Sequence, residues 1–193
     1  MIRIPSNAGE RMQIRTASKS DVEAITEVHI AAIREAYCDL LPADELTRID
    51  ADVYDRANMW RCLLAEGYST ILVAEVNGDI AGFVNFEAWE EEETPETGGE
   101  IMAIFVRPEE WGLGIGQALM REAMARLRDG GWVEAVLWVL LENRQAVDFF
   151  ERLGFRMDGV VRKLEMYGNP ATRVRLRRLL EESEQRSRLR RCC

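Results

Sequence analysis

"GEIMAIFVRPEEWGLGIGQALM", residues 99–120, passes from a nearly continuous apolar stretch into three glycines at alternate positions and then into a helix-forming segment. Residues 100–106, "EIMAIFV", have the composition of a strand buried on both faces, and Pro108 stops it. Beyond the glycines, Leu119, Met120, Ala123, Met124 and Leu127 fall on one helical face before Gly130-Gly131 ends the element. A strand, a glycine turn and a helix start in succession present unpaired backbone N–H groups at the positive end of a helix dipole. Missing Cβ atoms let an anion approach them closely. Two readings of the glycines stand: a seat for pyrophosphate, or only the freedom that a tight strand-to-helix turn requires. A dinucleotide fingerprint is excluded, because the spacing is G-x-G-x-G and no acidic residue closes a second parallel strand. A triphosphatase loop lacks its Gly-Lys-Ser/Thr ending.

Outward from this stretch the element types alternate. "RMQIRTA" (11–17) reads as a strand, and "SDVE" (20–23) as a capping box opening a helix that runs to about Tyr37, with Val22, Ile25, Val28 and Ile33 on one face. Residues 43–66 have helical spacing with a break near Asp50–Asp52, giving two short helices that end before Gly67. "STILVAEVNGDIAGFVNFEAW" (69–89) is a hairpin turning at Asn77-Gly78. After the glycine helix come a buried strand "VEAVLWVL", a short helix in "NRQAVDFFERLGF" closed by Gly154, and an antiparallel pair, "RMDGVVRKLEM" and "TRVRLRRLL", around "YGNP". Residues 1–180 are expected to form one domain and 181–193 a charged tail. The terminal Cys192-Cys193 pair fits an exposed, oxidisable end better than a prenylation signal.

Composition sets the boundaries of function. With 47% hydrophobic and 31% charged residues the chain has an ordinary globular make-up. It carries no eighteen-residue apolar run, and its start lacks the apolar stretch of a signal peptide, so no membrane role and a cytoplasmic location are expected. Cysteines 38, 62, 192 and 193 match no zinc spacing, and one histidine adds little, so no metal is expected. A net charge of −9 argues against nucleic acid as a partner and favours cationic ones.

The two stretches "GEIMAIFVRPEEWGLGIGQALM" and "ENRQAVDFFERLGF" together resemble the GCN5-related N-acetyltransferase (GNAT) superfamily, and the order of elements extends the resemblance over roughly residues 12–180. The resemblance implies an α/β (α+β) fold: a mixed, mostly antiparallel sheet of about seven strands, splayed between its two central parallel strands, with helices on both faces. It implies acetyl-CoA as co-substrate and transfer of the acetyl group to a primary amine of a small cationic molecule or peptide. By the same analogy the N–H groups from Trp111 through Gly112, Leu113, Gly114, Ile115 and Gly116 to Gln117 hold the phosphates, and the backbone of Phe105 and Val106 pairs with pantetheine. Asn143 reaches that arm, with Ala146, Phe149 and Phe150 lining the cleft. A homodimer is admitted as a partner state.

The chain departs from the family pattern at two positions. Trp111 stands where a glutamine or arginine is usual, with Arg107, Arg121 or Arg144 available to compensate, and Phe150 replaces the tyrosine that protonates the departing thiolate in many members. A water or another hydroxyl such as Tyr167 is the candidate substitute acid; the alternatives are an unassisted, slower departure of the thiolate or a loss of activity. Acetyl transfer needs a neutral amine, and Glu100, just before the buried strand, is the candidate base by analogy with the histone-modifying branch. The alternative is that it caps a strand edge. Glu87 is the reserve. Tyr37, Tyr54 and Trp60 in the early helices are acceptor candidates, although Trp60 and Met59 also have core spacing. The run Glu90, Glu91, Glu92, Glu93 and Glu96 either gathers a cationic acceptor or simply keeps a loop solvated. Two other classes stay open: an acetyl-CoA-binding module without turnover, and a cysteine hydrolase using His29 with Cys38 or Cys62.

Overall fold

In the computed structural model, which describes residues 2–5, 11–89, 98–166 and 169–180, eight strands form one sheet. They are β1 (Ile2–Pro5), β2 (Arg11–Thr16), β3 (Ser69–Val76), β4 (Asp79–Trp89), β5 (Gly98–Val106), β6 (Glu134–Leu140), β7 (Arg156–Met166) and β8 (Asn169–Leu179), in the spatial order β1-β2-β3-β4-β5-β6-β8-β7. Seven match the expected strands; β1, hairpinned on β2, is the addition. All neighbours are antiparallel except β5 and β6. The helices are α1 (Val22–Tyr37), α2 (Ala43–Ala51), α3 (Val53–Glu66), α4 (Ile115–Asp129) and α5 (Arg144–Arg152).

Local sequence explains most boundaries. Asn77 (φ 54°) and Gly78 (φ 102°) both take the left-handed region that a two-residue hairpin turn demands. The helical break falls at Asp52, one residue that separates α2 from α3. The capping box expected at Ser20–Glu23 lies two residues earlier. Ser18 N–H donates to Asp21 Oδ2 at 2.7 Å, and a single tight turn, Lys19–Asp21, precedes α1. Asp21 is drawn there because Arg15 on β2 grips both its carboxylate oxygens, at 2.7 and 2.8 Å, which holds the carboxyl down at about 2.

Alternation along the strands sends side chains to two cores. On one face Leu72, Val84, Phe86, Ile101, Val106, Leu137 and Val139 meet Ile115, Leu119, Met120, Ala123 and Leu127 of α4 and Val147 and Phe150 of α5. On the other face Ile71, Val73, Ile80 and Phe83 meet Val22, Ile25 and Val28 of α1 and Ala57 and Trp60 of α3, with Ala103 and Phe105 packed against them. Each fully buried aliphatic or aromatic side chain contributes about 1.5–3 kcal/mol.

His29 belongs to this second core. It is 7% exposed, enclosed by Trp60, Phe83 and Phe105, with ring centroids 4.4 to 5.9 Å away. Arg56 Nη1 lies 3.4 Å from Nε2; a guanidinium can only donate, so Nε2 accepts and the buried Nδ1 carries the hydrogen, with no partner among the described residues. Burial, and then the Arg56 cation, push the imidazole down to about 3. The folded value is below the unfolded one, so the unfolded chain binds the extra proton between them. Stability should be complete above about 6.5 and fall toward 3, by about 1.4 kcal/mol per pH unit of that window. Acid melts of the native protein and of His29→Leu check this: the variant should show a shallower decline from pH 6.5 downward.

Candidate functional site

The two parallel strands pair over only four residues, Gly98–Ile101 against Glu134–Leu137, and then separate. The cause is on both sides. β6 follows β8 along its whole length, while β5 stays with β4 as far as Val106. A bulge makes Met102 the extra residue between Ile101, opposite Phe86, and Ala103, opposite Asn85, which increases the local twist just where the strands part. The result is a wedge bounded by Met102–Val106 and by Trp138–Leu140.

Backbone groups facing the wedge follow from register. Arg107 N–H bonds Ala81 O at 2.8 Å, so antiparallel alternation commits Phe105 to Phe83 and turns the polar groups of Ile104 and Val106 toward the gap. Phe105 was expected to offer its backbone to pantetheine together with Val106; its N–H and C=O are used inside the sheet instead, and its ring packs on the α1/α3 side. The Val106 carbonyl receives the Trp111 indole N–H at 2.8 Å. Trp111 therefore folds back on the end of β5, leaving only its backbone for the turn.

The turn at the mouth of the wedge is built by glycines with different reasons. Gly112 (φ 82°) and Gly114 (φ 86°) are left-handed, and no atom lies within 4 Å of where their Cβ would be. Gly116 has an ordinary helical backbone, but a Cβ there would meet Phe149 Cζ at 3.2 Å. The first bond inside α4 runs from Ala118 N–H to Gly114 O, 3.0 Å, so the N–H groups of Ile115, Gly116 and Gln117 project from the helix end without an intrahelical partner. Open space, positive dipole and free donors coincide, which is the donor set an anion such as pyrophosphate requires. Leu113 and Gln117 are exposed beside it; Ile115 is buried beneath it.

Helix α5 abuts this turn through Phe149, so the two stretches that carried the resemblance meet. Phe150 is a core residue instead of a cleft residue. It is buried, with ring centroids 5.2 Å from Phe149 and 6.1 Å from Phe155. Asn143 caps α5, its side-chain oxygen accepting from Ala146 N–H at 3.0 Å, so that oxygen is occupied locally.

Glu100 sits at the vertex of the wedge, register partner of Glu87 on one side and of Val136 on the other. Its carboxyl is pushed above the ordinary glutamate range, first by burial and then by Glu87, with Arg162, Arg175 and Arg173 pulling the other way. Asn85, two residues before Glu87 and on the same face, is 4% exposed, and its Oδ1 has no hydrogen-bond partner among the described residues. Trp138, half-buried, lies under the Arg162 guanidinium, 4.2 Å from its ring centroid. Asn85, Trp138 and the arginines escaped the sequence reading. The alternation in "TRVRLRR" is the signal that one face of β8 is arginine-lined.

Among the acceptor candidates, Tyr37 is half-buried at the end of α1 and Tyr54 is exposed. Trp60 is 2% exposed in the core and cannot wall a site, because its face toward the sheet is filled by His29 and Phe83. Cys38 and Cys62 are both exposed and His29 is walled in by aromatic rings, so the cysteine hydrolase arrangement is not formed. Tyr167, the run Glu90–Glu96 and Cys192-Cys193 lie outside the described residues. No described helix is long and apolar enough to cross a membrane, and the described residues bring no three potential metal ligands together.

Comparison with known proteins agrees with this architecture. Residues 30–155 match the acetyltransferase (GNAT) family. An uncharacterized N-acetyltransferase of Methanocaldococcus jannaschii is 30% identical over 77% of this chain and 62% of its own length. The L-amino acid N-acyltransferase MnaT of Escherichia coli is 28% identical over 75% of this chain and 79% of its own. A PaiA N-acetyltransferase from Thermoplasma acidophilum, solved in complex with coenzyme A, superposes with a TM-score of 0.66 over 84% of this chain and 97% of that one, at 19% identity. Family match, relatives and fold agree: the chain belongs to the GNAT family of acetyltransferases.

Proposed function

We propose that this chain transfers the acetyl group of acetyl-CoA to a primary amine of a small molecule, with Glu100 accepting the proton of the attacking ammonium. The observation that carries the reading is that one wedge holds the free N–H groups of Ile115, Gly116 and Gln117 at its mouth and a carboxylate at its vertex. When bound, acetyl-CoA supplies an activated acetyl thioester. The chain's own parts are separable. The turn from Gly112 to Gln117 holds the pyrophosphate, the wedge-facing backbone of Ile104 and Val106 orients the arm, and Phe149, set against Gly116, closes the side. Glu100, raised by burial, is a stronger base than a solvated glutamate and is suited to taking a proton from an ammonium.

Phe150, in the core, brings no hydroxyl to the wedge. The thiolate is a tolerable leaving group and departs unaided or to water, with Tyr167 as the residue-borne alternative. A second reading rests on the same phenylalanine: a module that binds acetyl-CoA without turnover. Calorimetric titration with acetyl-CoA, followed by a thiol-release screen on a panel of amines, separates the two. Binding with release on an amine supports transfer, binding without release on any amine supports the module, and absence of binding overturns both.

A further inference from the structure

The sheet holds two like-charge pairs that face each other across the wedge. Glu87 and Glu100 are direct register partners on β4 and β5, and Arg162 and Arg173 are direct register partners on β7 and β8. Like charges directly opposite destabilise a sheet. None of these four side chains makes an ion pair among the described residues, whereas neighbouring Arg175 is joined to Asp158 at 2.6 Å and Arg177 to Glu134 at 3.3 Å. The local chemistry therefore pairs the charges that belong to the fold and leaves these two couples without an ion pair among the described residues.

Their placement is on one face. Glu100 pairs with Val136, Arg177 pairs with Val136 and Arg175 with Trp138, and Arg173 pairs with both Leu140 and Arg162, so all these side chains share the side of the sheet on which α1 and α3 pack against β3 and β4. β8 lies two strand spacings from β5, about 10 Å, and Arg173 stands four residues, about 13 Å, along β8 from Arg177, which is level with Glu100, so the long side chains have to close the gap. Trp138 bridges the interval, holding Arg162 over its ring. At the acidic end, the unpartnered Oδ1 of buried Asn85 adds a third acceptor beside the two carboxylates. An acceptor-rich pole wants a donor-rich cation, and a guanidinium pair wants an anion with several oxygens.

We infer that the acceptor is a zwitterionic amino acid, its ammonium seated against Glu87, Glu100 and Asn85 and its carboxylate against Arg162 and Arg173, with Trp138 between. This rests on the acetyl-transfer reading and narrows it: a purely cationic amine would satisfy one couple and leave the two arginines opposed. The step is the one already described. The ammonium gives one proton to Glu100, the freed amine nitrogen forms a bond to the acetyl carbon, the carbon–sulfur bond breaks with its electron pair on the thiolate, and the second nitrogen-bound proton passes through water to that thiolate.

The test uses the full chain, acetyl-CoA and matched acceptors: the twenty free L-α-amino acids, the carboxamide of each, and spermidine, all followed by thiol release. At least one free amino acid should exceed its own carboxamide in kcat/KM by about 100-fold, because a site built for a polar group rejects the analogue lacking it. In Arg162→Gln and in Arg173→Gln that preference should shrink by about tenfold each, the loss of one charged hydrogen-bonding partner. Calorimetric binding of acetyl-CoA checks that each variant is folded. Carboxamides or spermidine used as well as the free acids would overturn the inference while leaving acetyl transfer standing, as would an acid preference unchanged in both arginine variants. Acetyl-CoA binding with no release from any of these acceptors would overturn the inference too. Absence of acetyl-CoA binding would remove the transfer reading itself.

Discussion

Glu100→Gln should lower kcat by about 10²–10⁴-fold, the usual contribution of a positioned general base, with the dissociation constant for acetyl-CoA unchanged. Glutamine keeps the volume and one acceptor oxygen but cannot take a proton. The pH profile of the native enzyme carries a second signature. A base works only when unprotonated, so the rate falls as pH drops through the carboxyl's value. Because burial and Glu87 raise that value above 4.5, the acid limb of kcat/KM should lie above the ordinary glutamate range and vanish in the glutamine variant. Steady-state rates from pH 4 to 8 check both. An unchanged kcat would assign Glu100 to strand capping and move the base to Glu87, its partner across β4.

Gly114→Glu should abolish acetyl-CoA binding, weakening it by more than about 100-fold, by setting a carboxylate at the mouth of the seat where phosphates are to lie. Two effects act on the fold itself. A side chain at φ 86° costs about 1–3 kcal/mol, and a negative charge at the start of α4 returns about 0.3–1 kcal/mol through the dipole. Strain wins, so the melting temperature falls, yet the protein stays folded because no atom crowds the new Cβ. Gly114→Asn separates the causes: asparagine tolerates the left-handed region and is neutral, so its binding should stay within about tenfold of native. Calorimetry and thermal melts on the two variants measure both quantities. Native affinity in Gly114→Glu would show that the glycines serve the turn alone.

What the sequence disclosed was local. The strand that Pro108 ends, the glycines, the amphipathic face of α4, the Asn-Gly hairpin and the break at Asp52 are each written within a few adjacent residues, and the fold agrees with all of them. What it concealed was register. β1 is four residues long, too short to show a period. Neighbouring Phe149 and Phe150 look equivalent until α5 is docked, when one meets Gly116 and the other the core. Trp60 has the composition of a substrate wall and the position of a core residue. Glu100 could be singled out by its distance from the glycines, but that it faces Glu87 depends on a bulge at Met102, and that the Arg162–Arg173 pair lies on the same face as both depends on the strand order β5-β6-β8-β7. That order brings together segments dozens of positions apart, from β5 at 98–106 to β8 at 169–179, and no short window of sequence contains it.

The four-residue seam between β5 and β6 has an evolutionary consequence. The phosphate seat grows from the β4–β5 side of it, and the arginine face grows from the β6–β8–β7 side, each held by its own antiparallel partners. On the inferred acceptor seat, drift in residues 156–179 retunes the carboxylate end of that seat while the turn that handles the donor is inherited untouched.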